Sequence, residues 1–296
     1  MSAPASPGPW VRAMPAIFVL IWSTGFIVAR YGMPHAPPFK FLAVRFGLSM
    51  LCFLVWIQLA GVRWPVGGRQ WIHLGVSGVL MHAWYLGGVW AAVKGGMGSG
   101  VSALIVGLQP VLTAVWLSAT GGRVSARQWV GLLAGFAGLL LVVSGKLATP
   151  HPNDHVDVWN LLWVVGALLS ITTGTLYQKR HVGPCDVRTA NVVQLGAALL
   201  VTLPVAVLEP ESMHWNPHLI GAMAWSVLAL TLGGSSLLYL LIQRGAATSV
   251  TSLLYLVPPC TALMAWLLFQ EPITAATLAG TALTAFGVGL VVRTPK

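Results

Sequence analysis

The chain has 296 residues, 56% of them hydrophobic and only 7% charged, and its mean hydropathy is +0.80. Soluble domains carry roughly a quarter charged residues, so this composition excludes a soluble fold and places the protein in lipid. The net charge of +10 does not make it a nucleic-acid binder, because the bases are sorted by loop and not gathered into a phosphate-binding face.

Crossing about 30 Å of hydrocarbon takes about 20 apolar residues, and a helix is required because unpaired amides cannot face lipid. Ten such segments follow one another: 14–33, 39–60, 70–93, 98–119, 127–145, 158–178, 187–208, 218–242, 246–269 and 273–292. Residues 1–13 read as a Pro- and Ala-rich tail with a single base, Arg12. The span behind them is too long, and lacks the small-residue cleavage site, for a cleaved signal. Residues 14–145 then form a first five-helix unit, 146–157 an exposed linker with Pro150, Pro152, Asn153 and Asp154, 158–292 a second five-helix unit and 293–296 a short tail. Eleven of the 16 bases fall on one side of the resulting topology, among them Arg63, Arg69, Arg127, Lys179 and Arg180. The positive-inside rule puts that side, with both termini, in the cytoplasm and the linker in the periplasm, which fits a bacterial inner membrane.

Polar residues inside the spans form helical stripes that should turn away from lipid. The first span carries Trp22; the second carries Arg45, which either snorkels outward or lines water. In the third, His82, Tyr85 and Val89 share a face, and in the fourth Ser99, Ser102 and Gln109 precede or adjoin Pro110. The sixth offers Trp163, Ser170, Thr173, Gly174 and Tyr177, the eighth Ser235, Ser236, Tyr239 and Gln243, and the ninth Thr248, Thr251, Ser252 and Tyr255 before Pro258 and Pro259. Trp22, His82, Tyr85, Gln109, Trp163, Tyr239 and Tyr255 are accordingly the candidate solute-binding residues, with the two tryptophans as flat apolar walls. Pro110, Pro258 and Pro259 remove amide donors and free the carbonyls one turn back, so they are candidate hinges. In the fifth and tenth spans Gly131, Gly135, Gly138 and Gly280, Thr284, Gly287 recur at helical spacing. Such small residues permit close helix packing and would equally serve a homodimer.

The second half repeats part of the first. Gly96–Val143 lies against Gly245–Val292 without a gap, a shift of 149 positions that matches Pro110 with Pro259, Gly131 with Gly280 and Gly138 with Gly287. Five helices per unit means that the second unit inserts upside down, the inverted-repeat plan of many secondary transporters. The three cysteines, Cys52, Cys185 and Cys260, show no metal spacing, and neither a metal site nor a cofactor is expected. All six acids fall outside the helix cores, which argues against a cation antiporter and leaves His82 as the titrating candidate for proton coupling.

Val257-Pro258-Pro259, Glu271-Pro272, Gly280 and Phe286-Gly287-Val288, together with Trp22-Ser23-Thr24-Gly25-Phe26 ahead of Arg45-Phe46, resemble the EamA-type branch of the drug/metabolite transporter superfamily. The resemblance implies an all-α integral membrane protein: ten transmembrane helices as two inverted five-helix repeats around a central cavity. Within that branch the Trp-rich interior is most similar to the aromatic amino acid exporters. Gly122 stands where the second unit has Glu271, so Glu271 reads as a helix cap without a transport role. The partners implied are the lipid bilayer and a small amphipathic solute, an aromatic or hydrophobic amino acid first of all. A purine, a nucleotide sugar or a drug remains a rival solute, and an integral-membrane enzyme the remote alternative.

Overall fold

The computed structural model describes residues 9–121, 124–148, 157–244, 253–269 and 274–292, with backbone only over 9–12 and parts of the fifth and tenth helices. Most of the linker, both outer tails, Thr248, Thr251, Ser252 and the Glu271 loop lie outside the described residues. Among those described there are ten helices and no strand. They are α1 Pro9–Gly32, α2 Pro38–Ala60, α3 Gly68–Lys94, α4 Ser99–Ala119, α5 Ala126–Ala148, α6 Val158–His181, α7 Val187–Leu208, α8 Pro217–Arg244, α9 Leu253–Phe269 and α10 Ala275–Val292. Seven of them, α1 to α4 and α6 to α8, are long and apolar enough to span a bilayer. The first helix already runs through Pro9, ahead of the expected start at Met14.

One shift relates the two halves throughout. The starts of α2, α3 and α5 at Pro38, Gly68 and Ala126 recur 149 positions later at Val187, Pro217 and Ala275. Irregularities recur as well: α3 contains a π-helical stretch at Val79–Trp84 and α8 one at Ser226–Ser235. Helix α4 breaks at Gly107–Leu108, ahead of Pro110, and α9 contains a 3-10 turn at Leu253–Leu256, ahead of Pro258 and Pro259.

Packing between the halves is reciprocal. Helix α2 lies along α7 and α5 along α10, while α3 packs on α6 and α1 on α8. At Gly138 a side chain would run into the Gly280 carbonyl and Thr284; at Gly287 it would run into the Gly131 carbonyl and Gly135. Each contact is the other shifted by 149 positions, and the pairing of Gly131 with Gly287 and Gly138 with Gly280 means that α5 and α10 run antiparallel. The small-residue stripes are therefore used within the chain. The same reciprocity joins α1 and α6 to the π-helical stretches: Gly25 faces Leu230 and Gly174 faces Met81.

Loops tie both ends of the bundle. At one end the Glu209 carboxylate accepts the Phe39 and Lys40 amides at 3.0 and 2.7 Å, capping α2 where the helix dipole favours negative charge. Lys40 Nζ donates to the Glu209 and Glu211 carbonyls, and Lys94 pairs with the Glu211 carboxylate at 2.7 Å. At the other end Gln70 and Gly183 exchange two hydrogen bonds, and Lys179 Nζ donates to the Ile242 carbonyl. There Asp186 caps α7, and hydrogen bonds from Arg188 hold its carboxyl below the usual carboxylate range.

Filling a close helix contact should be costly. Gly287→Val is expected to destabilise the protein by about 1–3 kcal/mol through overpacking. Gly289→Ala, where nothing lies within 4 Å, should leave stability unchanged. Thermal unfolding in detergent compares the two, and equal midpoints would mean that the α5–α10 contact is not close-packed.

Candidate functional site

Where the two halves meet, α1, α2, α3 and α8 surround a cavity lined by Trp22, Arg45, His82, Tyr85, Trp90 and Ser235, closed by apolar neighbours such as Phe26 and Leu230. The space between these atoms totals about 440 Å3, but it is constricted and admits water-sized guests, not a whole amino acid. A solute would require the walls to part.

The π-helical stretches explain why polar groups reach this point. A wider turn bonds amides to carbonyls five residues back and shifts the register of the side chains behind it. His82 lies inside the stretch on α3, and Thr231 and Ser235 inside the one on α8. Thr231 Oγ1 donates to the Ser226 carbonyl, five residues earlier, at 2.9 Å. On α3 the Leu80 carbonyl accepts from Ser170 Oγ at 2.8 Å.

Two polar links cross the centre. Arg45 Nε donates to Thr231 Oγ1 at 3.1 Å, and the His82 and Gln194 side chains lie beside each other. Shifting Arg45 and Thr231 by 149 positions, forward and back, gives Gln194 and His82, so the links are counterparts. Gly78 makes the second possible, because its missing side chain lets the Gln194 backbone come into contact with α3. From there the Gln194 amide donates to Ser77 Oγ at 2.9 Å and to Gln178 Oε1 at 2.8 Å.

The aromatic walls are ordered by their own contacts. Trp22 and Tyr85 stack with planes 2° apart and centroids 6.1 Å apart. Trp90, 1% exposed, stacks on Phe41 at 4.5 Å, and the Arg45 guanidinium lies 5.9 Å from its ring centre. Phe46 meets the His82 ring edge to face.

Of the seven candidate residues read from the sequence, Trp22, His82 and Tyr85 come together at this cavity and four do not. Gln109 Nε2 donates to Thr175 Oγ1 at 3.1 Å and joins α4 to α6, with its Oε1 buried and unpartnered. Tyr255 packs on Gly135, and its hydroxyl donates to the Leu132 carbonyl at 3.4 Å. Tyr239 contacts Cys185 at 3.0 Å near the α6–α7 loop. Trp163 is 38% exposed and lines a separate apolar cleft with Phe39, Trp84, Val201 and Val205. The stripe on α6 thus does not turn inward as a whole: its small members Ser170 and Gly174 face α3, while Thr173 and the bulky Trp163 are left at the edge.

Arg45, Trp90 and Gln194 are the central residues missing from the sequence-derived set. Arg45 had a signal, a charge inside an apolar helix. Gln194 becomes visible only when the 149-residue shift is extended backward, which makes it the counterpart of Arg45.

Ten helices in two matched halves around an enclosed, partly polar cavity define a membrane carrier architecture. Comparisons agree. Residues 13–144 and 158–293 each match the EamA-like transporter family, so the chain belongs to that family. It is 26% identical over 222 residues to an uncharacterized inner membrane transporter, YedA, of Escherichia coli K12, covering 75% of this chain and 70% of that one. A protein of Salmonella typhimurium described as a probable amino-acid metabolite efflux pump is 23% identical over 283 residues, covering 92% and 91%. A solved structure described only as a crystal structure of a protein shares the fold with a TM-score of 0.74 at 18% identity, covering 95% of this chain and 98% of that chain.

Gln194 should matter for stability apart from any solute. Gln194→Leu strips Ser77 and Gln178 of a buried partner at once and is expected to cost about 1–3 kcal/mol. An unchanged unfolding midpoint in detergent would show that the central links carry no structural weight.

Proposed function

We propose that this transporter exports small amphipathic metabolites, aromatic or hydrophobic amino acids foremost, across a bacterial inner membrane with both termini in the cytoplasm. The observation that carries the reading is the enclosed cavity between the halves, walled by Trp22, Tyr85 and Trp90 and edged by His82 and Arg45. An apolar, flat-walled pocket with a few convergent polar groups suits a solute with a ring or aliphatic body and a polar end. The name of the Salmonella relative supports the amino-acid class. Nothing in this arrangement calls for chemistry on the solute, so we read the protein as a carrier and not an enzyme.

The mechanism we infer is alternating access by two inverted repeats. Reciprocal, antiparallel contact between α5 and α10 and the crossed links at the centre support that relation. In this form both ends are tied and the cavity is constricted, as an occluded carrier would be. Helices α4 and α9 break at matched places beside Pro110, Pro258 and Pro259, which suits them to flex as gates.

Proteoliposomes loaded with labelled phenylalanine, tryptophan and leucine test the reading. Saturable movement of at least one is expected, with Trp22→Ala raising KM roughly two- to tenfold. Trp163→Ala, in its separate cleft, should leave KM within about twofold of wild type. Pro110→Ala and Pro259→Ala should lower the maximal rate more than they change KM. Absence of saturable movement for every amino acid would remove the substrate class.

A further inference from the structure

Arg45 is a permanent charge in the cavity wall that no carboxylate among the described residues neutralises. It is 3% exposed, and the Thr231 hydroxyl is its hydrogen-bond partner, through Nε. Among the described residues no carboxylate approaches it. Asp157 caps α6, Asp186 is engaged by Arg188, and Glu209 and Glu211 are held with Lys40 and Lys94 at the end of the bundle. The remaining acids of the chain, Asp154 and Glu271, belong by sequence to the linkers. The nearest aromatic face, Trp90, offers only a weak cation–π contact at 5.9 Å.

A guanidinium carries five N–H donors in a rigid planar fork and stays charged at any physiological pH. One donor is satisfied by Thr231, no other hydrogen bond to the guanidinium is made among the described residues, and the Arg45 side chain lines the cavity with His82, Tyr85 and Ser235. Burying such a charge without a counterion is unfavourable, and in a low-dielectric site the penalty falls most heavily when the site is closed. The missing group must be planar, anionic and able to accept a forked pair of hydrogen bonds, which describes a carboxylate.

We propose that Arg45 is the carboxylate-binding residue of this carrier. Its solutes are then small carboxylates with an apolar or aromatic body, and amines that lack a carboxylate are rejected. The inference rests on the reading of the cavity as the solute site and narrows it. Trp22 and Trp90 accept the body of the solute, the guanidinium takes its carboxylate, and Tyr85 and Ser235 stand within the same cavity for whatever polar group the solute adds. An ammonium without a carboxylate would meet only like charge, a repulsion that supplies selectivity against the wrong class.

The test compares three probes that share a phenyl ring: L-phenylalanine, 3-phenylpropionate and 2-phenylethylamine. Binding to the purified full chain in detergent is read from tryptophan fluorescence, and transport is read separately in proteoliposomes. The two carboxylates are expected to bind and move, with the amine at least about tenfold weaker. Arg45→Gln should weaken both carboxylates about tenfold or more without weakening the amine, and Arg45→Lys should restore part of the loss. Equal affinity of the wild type for the amine and the carboxylates, or carboxylate binding unaltered in Arg45→Gln, overturns the assignment while leaving the carrier reading intact. Failure of all three probes to bind or move removes the cavity as the solute site, and this assignment with it. The wild-type comparison decides the matter even where a variant does not fold.

Discussion

Helices in lipid gain little by burying apolar surface against one another, because lipid tails are as apolar as their side chains. What holds this bundle is backbone approach at residues without side chains, and the structure depends on it. Gly138 and Gly287 bring α5 and α10 into contact, Gly88 and Gly174 bring α3 and α6 together, and Gly78 admits α7. Each contact places rigid elements within hydrogen-bond reach of one another. Gln194 bridges Ser77 and Gln178 because Gly78 allows its backbone so close.

A duplicated scaffold explains why these contacts come in pairs, but the pairs are no longer chemically equal. Arg45 and Thr231 form one central link, and the counterpart link is Gln194 with His82. A guanidinium on one side is answered by an amide on the other, and a hydroxyl by an imidazole. The pairing has been kept while the charge has been confined to one half. A second charge at Gln194 would have placed two cations beside one another in a region of low dielectric, which is far more costly than the amide found there.

The helix plan was legible because it follows from a hard requirement, that every amide crossing lipid pairs within its own segment. All ten predicted spans have a matching helix, and the prolines of α4 and α9 stand beside matching breaks. Side-chain direction was far less legible. Helical periodicity placed His82 and Tyr85 on one face correctly, since that face is anchored by Trp22 and Trp90. The same periodicity failed for α6, where close packing on α3 consumed the small residues and pushed Trp163 into another cleft. Tyr255 was drawn away by an α5 glycine that leaves room for its ring. The π-helical stretches have no signature in the apolar pattern, and they set the direction of Thr231 and Ser235.

Tyr239 shows how far the pairing extends. It lies 149 positions after Trp90, and its neighbour Ala190 lies 149 positions after Phe41, the ring on which Trp90 stacks. Tyr239 therefore occupies the place of Trp90 reflected to the other end of the bundle, where it contacts Cys185 and not the cavity. The remaining lining follows the same rule: Trp22, Arg45, His82 and Tyr85 correspond to Ile171, Gln194, Thr231 and Gly234. The large, aromatic and charged members all come from the first half, and the second half contributes smaller or neutral ones. Under alternating access this division has a consequence. The rocking motion we propose is a property of the matched scaffold and can be shared equally, whereas the proposed solute-binding residues are concentrated in α1, α2 and α3, so on this reading recognition travels with a single half as the bundle rocks.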